Sequence, residues 1–384
     1  MHTATRCAMA MMLVAGAWAA QATQPTTMPE EISIAKLPPA TSHRLYVSDV
    51  ALSHIIDGRM HIVDGETLKY IGMLGTGFTG LATLSPDRSE IYVATTYLAK
   101  LNRGTRTDQI DVYDSHTLTL KAEIGIPPKH AQALPYKGTI AVTPDGRFII
   151  VQNATPASSL AVVERKAAKF VTEIPTPGCW GILPAQSVAH RFTTICGDGT
   201  LLTITLGADG LPSDQQRSER LFDPDQDPVY SQTENTGDTY HFLSFHGQIL
   251  TANLGGAVAK IDAPWSLLTE TDKAENWRPG GYQPFALNQA AGRLYVAMHP
   301  NGTEGSHKNP AKELWAFDMQ TRQRVERVEG NNAVALAVSR GDQPMLFAID
   351  PLSAGLINYT TSPTLTVGKR VDGFGEAPIL IETH

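Results

Sequence analysis

GTGFTGLATLSPDRSEIYVATTYLAKLNRGTRTDQIDVYDSHTLTLKAEIGI, residues 75–126, holds one full copy of the unit from which the chain is built. Four short runs stand out in it: LATLS (81–85), IYVATT (91–96), QIDVYD (109–114) and LKAEIGI (120–126). Val, Ile, Thr and Tyr dominate these runs and turn residues separate them, PDRS after the first and SHTL after the third, so they read as an antiparallel meander of four strands. Alternate connections of a meander fall on opposite edges of the sheet. The two tight turns therefore share one edge, and GTGFTG (75–80) shares the other with the long polar loop YLAKLNRGTRTD (97–108).

The same grammar recurs. Second strands read as RLYVSDV (44–50), RFIIVQN (147–153), RFTTICG (191–197), YHFLSF (240–245), RLYVAMH (293–299) and PMLFAID (344–350). Third strands follow near Ile62, Val112, Val162, Ile204, Leu250, Ala316 and Ile357. A four-stranded repeat of about 40–50 residues is the signature of a β-propeller, and seven third strands predict an all-β ring of seven blades over residues 44–384. The first unit lacks an opening strand and the chain finishes with a spare one, APILIE (377–382). That strand is expected to complete the first blade and remove the open edge of an unclosed ring.

At the N-terminus, MHTATRCAMAMMLVAGAWAAQA reads as a secretory signal peptide over residues 1–20. Arg6 supplies its charge, Ala8–Gly16 its apolar core, and Ala17-Trp18-Ala19 a cleavage site, with processing near Ala19 or Ala22 and a periplasmic destination. The polar, Pro/Thr-rich residues 21–43 read as a flexible arm. Export removes Cys7 and leaves Cys179 and Cys196, placed symmetrically about a hairpin turn. Residues so placed face each other across the strands, which predicts a disulfide in an oxidising compartment.

A formal charge of −7 and an isoelectric point near 5.9 argue against nucleic acid as a partner, and nothing after the leader reads as a membrane span. The sequence holds no Cys-x-x-Cys-His, no His-Glu-x-x-His, no Gly-x-Ser-x-Gly and no P-loop. His299 and His307 share a Gly-rich loop at a spacing that suits solvent better than a metal, and Asp64, Asp114 and Asp318 read as turn formers. No catalytic residue and no metal site is expected in this chain. Trp265 and Trp277 read as anchors of an insertion, with a short helix over Asp272–Trp277.

Several long stretches carry a resemblance: RGTRTD (103–108), IPPK through QNATPASSLAVV (126–163), GCW (178–180), TICGDGTLLTITLG (194–207), PWSLLTETDKAENWRPGGY (264–282) and MHPNGTEGSHKNPAKELW (298–315). Together they resemble the heavy subunit of the tryptophan tryptophylquinone amine dehydrogenases, and the aromatic (aralkylamine) type more than the methylamine type. The resemblance implies a heterotetramer of two heavy and two light chains that oxidises primary amines to aldehyde and ammonia. It places the tryptophan tryptophylquinone and the catalytic aspartate in the light chain, none of the cofactor in this chain, and passes electrons to an azurin-like cupredoxin.

By the same resemblance Phe78, between Gly77 and Gly80, lines the substrate channel, while Arg103, Arg106, Asp108, Trp180, His307 and Lys308 fall on loops expected to meet the light chain. Phe78 as ordinary packing between blades is the plainer alternative. A stand-alone binding propeller and a lactonase-like enzyme are the other classes that the fold allows. The lactonase would require acidic and Asn ligands around the central channel.

Overall fold

The computed structural model describes residues 33–132, 134 and 136–384, so the expected signal peptide and the first part of the arm lie outside the described residues. Of the unit Met1–Ala35, residues 33–35 are described and have no regular structure; the unit Lys36–His384 is a ring of seven antiparallel sheets. The second blade is the stretch quoted above, with strands Leu81–Leu84, Glu90–Leu98, Arg106–Asp114 and Leu120–Ile126 running from the axis outward.

The first blade closes the circle as expected. Pro378–Thr383 is its innermost strand and pairs antiparallel with Arg44–Asp49, Val47 facing Ile381. Every blade is a sheet covered on both faces by its neighbours, so its middle strands are buried on both faces rather than alternately; Phe148–Asn153 is buried at all six positions. Packing is between blades: Phe148, Ile150 and Leu160 of the third interdigitate with Ile182, Phe192 and Ile204 of the fourth. The outermost strands keep a free edge and protect it with charge, as in Arg324–Glu329, where RVERVE alternates Arg and Glu around Val.

Two boundaries differ from the sequence reading. Gly75 to Gly77 finish the outer strand of the first blade, Lys69–Gly77, because Arg59 and Gly58 continue the ladder opposite them. The short helix is Glu270–Ala274, two residues earlier than the composition suggests, because Thr269 and Asp272 form a capping box that fixes its start. Trp277 packs its ring 5.0 Å from that of Trp315, anchoring the insertion to the sixth blade. From Lys36 to Thr41 the chain has no regular structure; Leu37 lies against the apolar cluster of the first two blades, and its N–H bonds the His116 carbonyl at 2.7 Å.

Candidate functional site

The two faces of the ring differ as the meander dictates. One carries tight turns such as 85–89 and 115–119; the other carries the connections into each innermost strand and the loops between second and third strands. On the second face an aromatic residue stands within four residues of the start of the innermost strand in six of the seven blades: Phe78, Tyr136, Trp180, Tyr230, Tyr282 and Phe374. All six are half-buried. These six side chains form a collar around the entries to the innermost strands, and Tyr230, Tyr282 and Phe374 of it also pack against the apolar clusters between blades.

Four successive members of the collar, Tyr136, Trp180, Tyr230 and Tyr282, share a cavity of about 540 Å3 with Phe245 and Leu134. The Ser306–Lys308 turn of the sixth blade's long loop closes one side and brings in His307 and Lys308. Lys308 Nζ lies 5.3 Å from the centre of the Tyr282 ring and 5.9 Å from that of Tyr136, a cation held by two aromatic faces. Tyr230 donates its hydroxyl to the Pro279 carbonyl at 2.6 Å, and burial pushes that phenol well above its ordinary range.

The disulfide predicted from the hairpin is present. Cys179 and Cys196 face each other in register and are joined, pinning the inner strand of the fourth blade one residue before Trp180.

The structure thus brings together Trp180, His307 and Lys308. The second blade's residues sit apart from them. Phe78 follows Gly77, whose φ of 64° suits glycine, and precedes Gly80, where a Cβ would overlap the Thr76 carbonyl oxygen. The turn is held by Thr95, whose hydroxyl bonds the Thr76 carbonyl at 2.7 Å, and by the Phe78 N–H on the Thr96 carbonyl at 3.5 Å.

Arg103 is exposed at the tip of the neighbouring loop, whereas Asp108 is only 2% exposed. Arg106 donates to both Asp108 oxygens, at 2.7 and 2.6 Å, and to the His130 carbonyl at 2.9 Å. Thr96 and the His130 N–H complete the shell of that carboxylate at 2.9 and 2.8 Å. Arg106 and Asp108 therefore tie the second blade to the third, and the Asp108 carboxylate is spent inside the chain. Burial pushes the His130 imidazole down to about 4 against the pull of Asp108.

A second cavity, about 870 Å3, is the axial tunnel lined by the innermost strands. Within it Lys137 Nζ stands 3.5 Å from Glu382 Oε2, deep in the ring yet wetted by the tunnel, with 37% of its side chain exposed. Burial raises Glu234 above the usual carboxylate range while Lys137 opposes the rise. Among the described residues no group of three or more His, Cys, Asp or Glu is arranged to hold a metal ion.

Sequence reasoning missed Tyr136, Tyr230, Phe245 and Tyr282. A signal was available: Tyr136, Trp180, Tyr230 and Tyr282 recur 44, 50 and 52 residues apart, in step with the blades.

Residues 41–384 match the family model described as methylamine dehydrogenase heavy chain. Two relatives bearing that name are similar over most of both chains. The one from Methylophilus methylotrophus is 26% identical over 358 residues, covering 92% of this chain and 86% of its own. The one from Paracoccus versutus is 27% identical over 362 residues, covering 92% and 82%. Among solved structures, a putative 6-phosphogluconolactonase from Bacteroides fragilis superposes with a TM-score of 0.62 at 10% identity, over 90% of this chain and all of that one, a likeness of fold alone.

Proposed function

This chain belongs to the methylamine dehydrogenase heavy chain family, and from that premise we propose that it is the scaffolding subunit of a periplasmic quinoprotein amine dehydrogenase of two heavy and two light chains. The observation that carries the reading is the family match from residue 41 to residue 384, which takes in every blade. Within the proposal the quinone, tryptophan tryptophylquinone, belongs to the light chain and supplies the two-electron oxidation of the amine to aldehyde and ammonia. An azurin-like cupredoxin takes the electrons. The work of the heavy chain is to seat its partner, exclude water and shape the path of the amine.

Its residues suit that division. The long-loop face offers a rigid ring with six half-buried aromatics, the composition that partner surfaces favour. Phe78 is half-buried on a turn fixed by Gly77 and Gly80, so its ring is presented rather than packed away, as a channel wall requires. We further propose an aralkylamine as the substrate, on the resemblance read in the long loops and because a flat ring suits an aromatic guest.

Purification from the periplasm of the host tests the reading. A small chain that co-purifies, with a visible quinone band bleached by phenylethylamine faster than by methylamine, is the expected result. A colourless single chain would overturn it and leave a stand-alone binding propeller.

A further inference from the structure

We propose that the axial tunnel binds a small molecule bearing an oxyanion, a carboxylate or a phosphate, held by Arg340 and Lys137 toward the tight-turn face. That end of the tunnel lies opposite the long loops, so the site is independent of the heavy-subunit reading.

Positive charge gathers here beyond what the chain's own carboxylates balance. Glu382 is shared by two cations, with Arg88 Nη1 3.8 Å from its Oε1 and Lys137 Nζ 3.5 Å from its Oε2. Arg340 is exposed in the turn between the strands Ala335–Val338 and Met345–Asp350 and lines the same tunnel. Among the described residues it has no carboxylate within ion-pair distance. Glu234, the other carboxylate of the tunnel, accepts a hydrogen bond from the Gln232 amide at 3.0 Å. Arg88, Lys137 and Arg340 therefore outnumber the carboxylates even with Glu234 ionised, and burial, which favours neutral Glu234, widens the excess. Arg340 opposes the charge on both Lys137 and Arg88, so the fold holds like charges together at a cost that an anion relieves. Burial first, then Arg88, Arg44, His116 and Arg340, push the nearby His384 imidazole down to about 4. In a chain of formal charge −7 this concentration of positive charge is local, and it draws anions to the mouth of the tunnel.

The cavity has room for more than an ion. Its volume of about 870 Å3 is of the size that holds small-molecule ligands. Thr83 and Thr233 line it with hydroxyls that have no hydrogen-bond partner among the described residues, so the body of the guest is polar. Arg340 supplies the planar fork that matches carboxylate and phosphate oxygens, and Lys137 supplies a point charge.

Calorimetric titration of the full chain with inorganic phosphate and with succinate, against sodium chloride of matched ionic strength, tests the site. Saturable binding of at least one anion is expected, and the tighter of the two identifies the class. Arg340→Gln and Lys137→Gln should each weaken it by about tenfold or more, the loss of one charged hydrogen bond. Arg322→Gln, at an exposed position of the same face outside the tunnel, should leave it at the parental value. Arg340 is exposed and unpaired, so the anion-free unfolding midpoint of Arg340→Gln should match the parent, which separates lost binding from lost folding. Saturable binding of neither anion, or parental affinity in Arg340→Gln, would overturn the site. Equal weakening by Arg322→Gln would mean an adventitious ion only and would overturn it too.

Discussion

Gln283 holds Ile381 by both of its backbone groups: its amide donates to the Ile381 carbonyl at 2.9 Å and accepts the Ile381 N–H at 2.9 Å. A side chain thus does for the axial edge of the closing strand what a neighbouring strand does elsewhere. Gln283 is fully buried, so neither group has water as an alternative. Gln283→Ala is expected to destabilise the ring by about 2–4 kcal/mol, the cost of leaving two buried backbone groups unpaired. Chemical denaturation measures it, and faster proteolysis at the C-terminus should accompany it. A loss of under about 0.5 kcal/mol would mean that the strand is held by its pairing with Arg44–Asp49 alone.

Asp108 and Arg103 stand five residues apart and should behave oppositely. Asp108→Ala strands the Arg106 guanidinium and uncaps the His130 N–H, with an expected loss of about 3–5 kcal/mol. Arg103 is exposed, and Arg103→Ala should change stability by no more than about 0.5 kcal/mol. Urea midpoints of the two variants decide the matter.

His130 makes the fold sensitive to mild acid. In the folded chain its imidazole titrates near 4, whereas in the unfolded chain it titrates near about 6.5. Between those values the unfolded chain binds a proton that the folded chain refuses, so stability is full above the upper value and declines as pH falls toward the lower. The slope for this one group reaches about 1.4 kcal/mol per pH unit. Unfolding free energies at pH 7.5, 6.0 and 5.0 should fall along that line, and His130→Asn should flatten it over this window.

Phe78 separates the channel reading from plain packing. Under the proposed function, Phe78→Ala in the assembled enzyme changes kcat/KM for phenylethylamine several-fold and leaves that for methylamine close to parental, while the unfolding midpoint of the free chain moves little. Equal loss on both amines together with a lower midpoint would make Phe78 an inter-blade packing residue.

The ring was legible in the sequence because a blade is written in local terms, the β-branched runs and turn residues of residues 75–126, and recurs along the chain with a period near fifty. The disulfide was legible for the same reason, since symmetry about a turn is a local property. The collar was harder. Its members lie on different blades and come together only when the circle closes, so Trp180 is reached only through the family resemblance and nothing local singles out Tyr230 or Tyr282. Asp108 shows the opposite difficulty. A charge in a polar loop looks like a contact for a partner, and only the fold reveals that Arg106 and the His130 backbone already occupy it.

The closing strand also fixes an order of events. Pro378–Thr383 follows the other strands of the ring in sequence, so the ribosome makes it after them. Until it arrives, Arg44–Asp49 waits with an unpaired edge, and Gln283 has no Ile381 to hold. The ring can therefore close only after all seven blades have been made, and a chain cut before Pro378 keeps every other strand yet never becomes a circle.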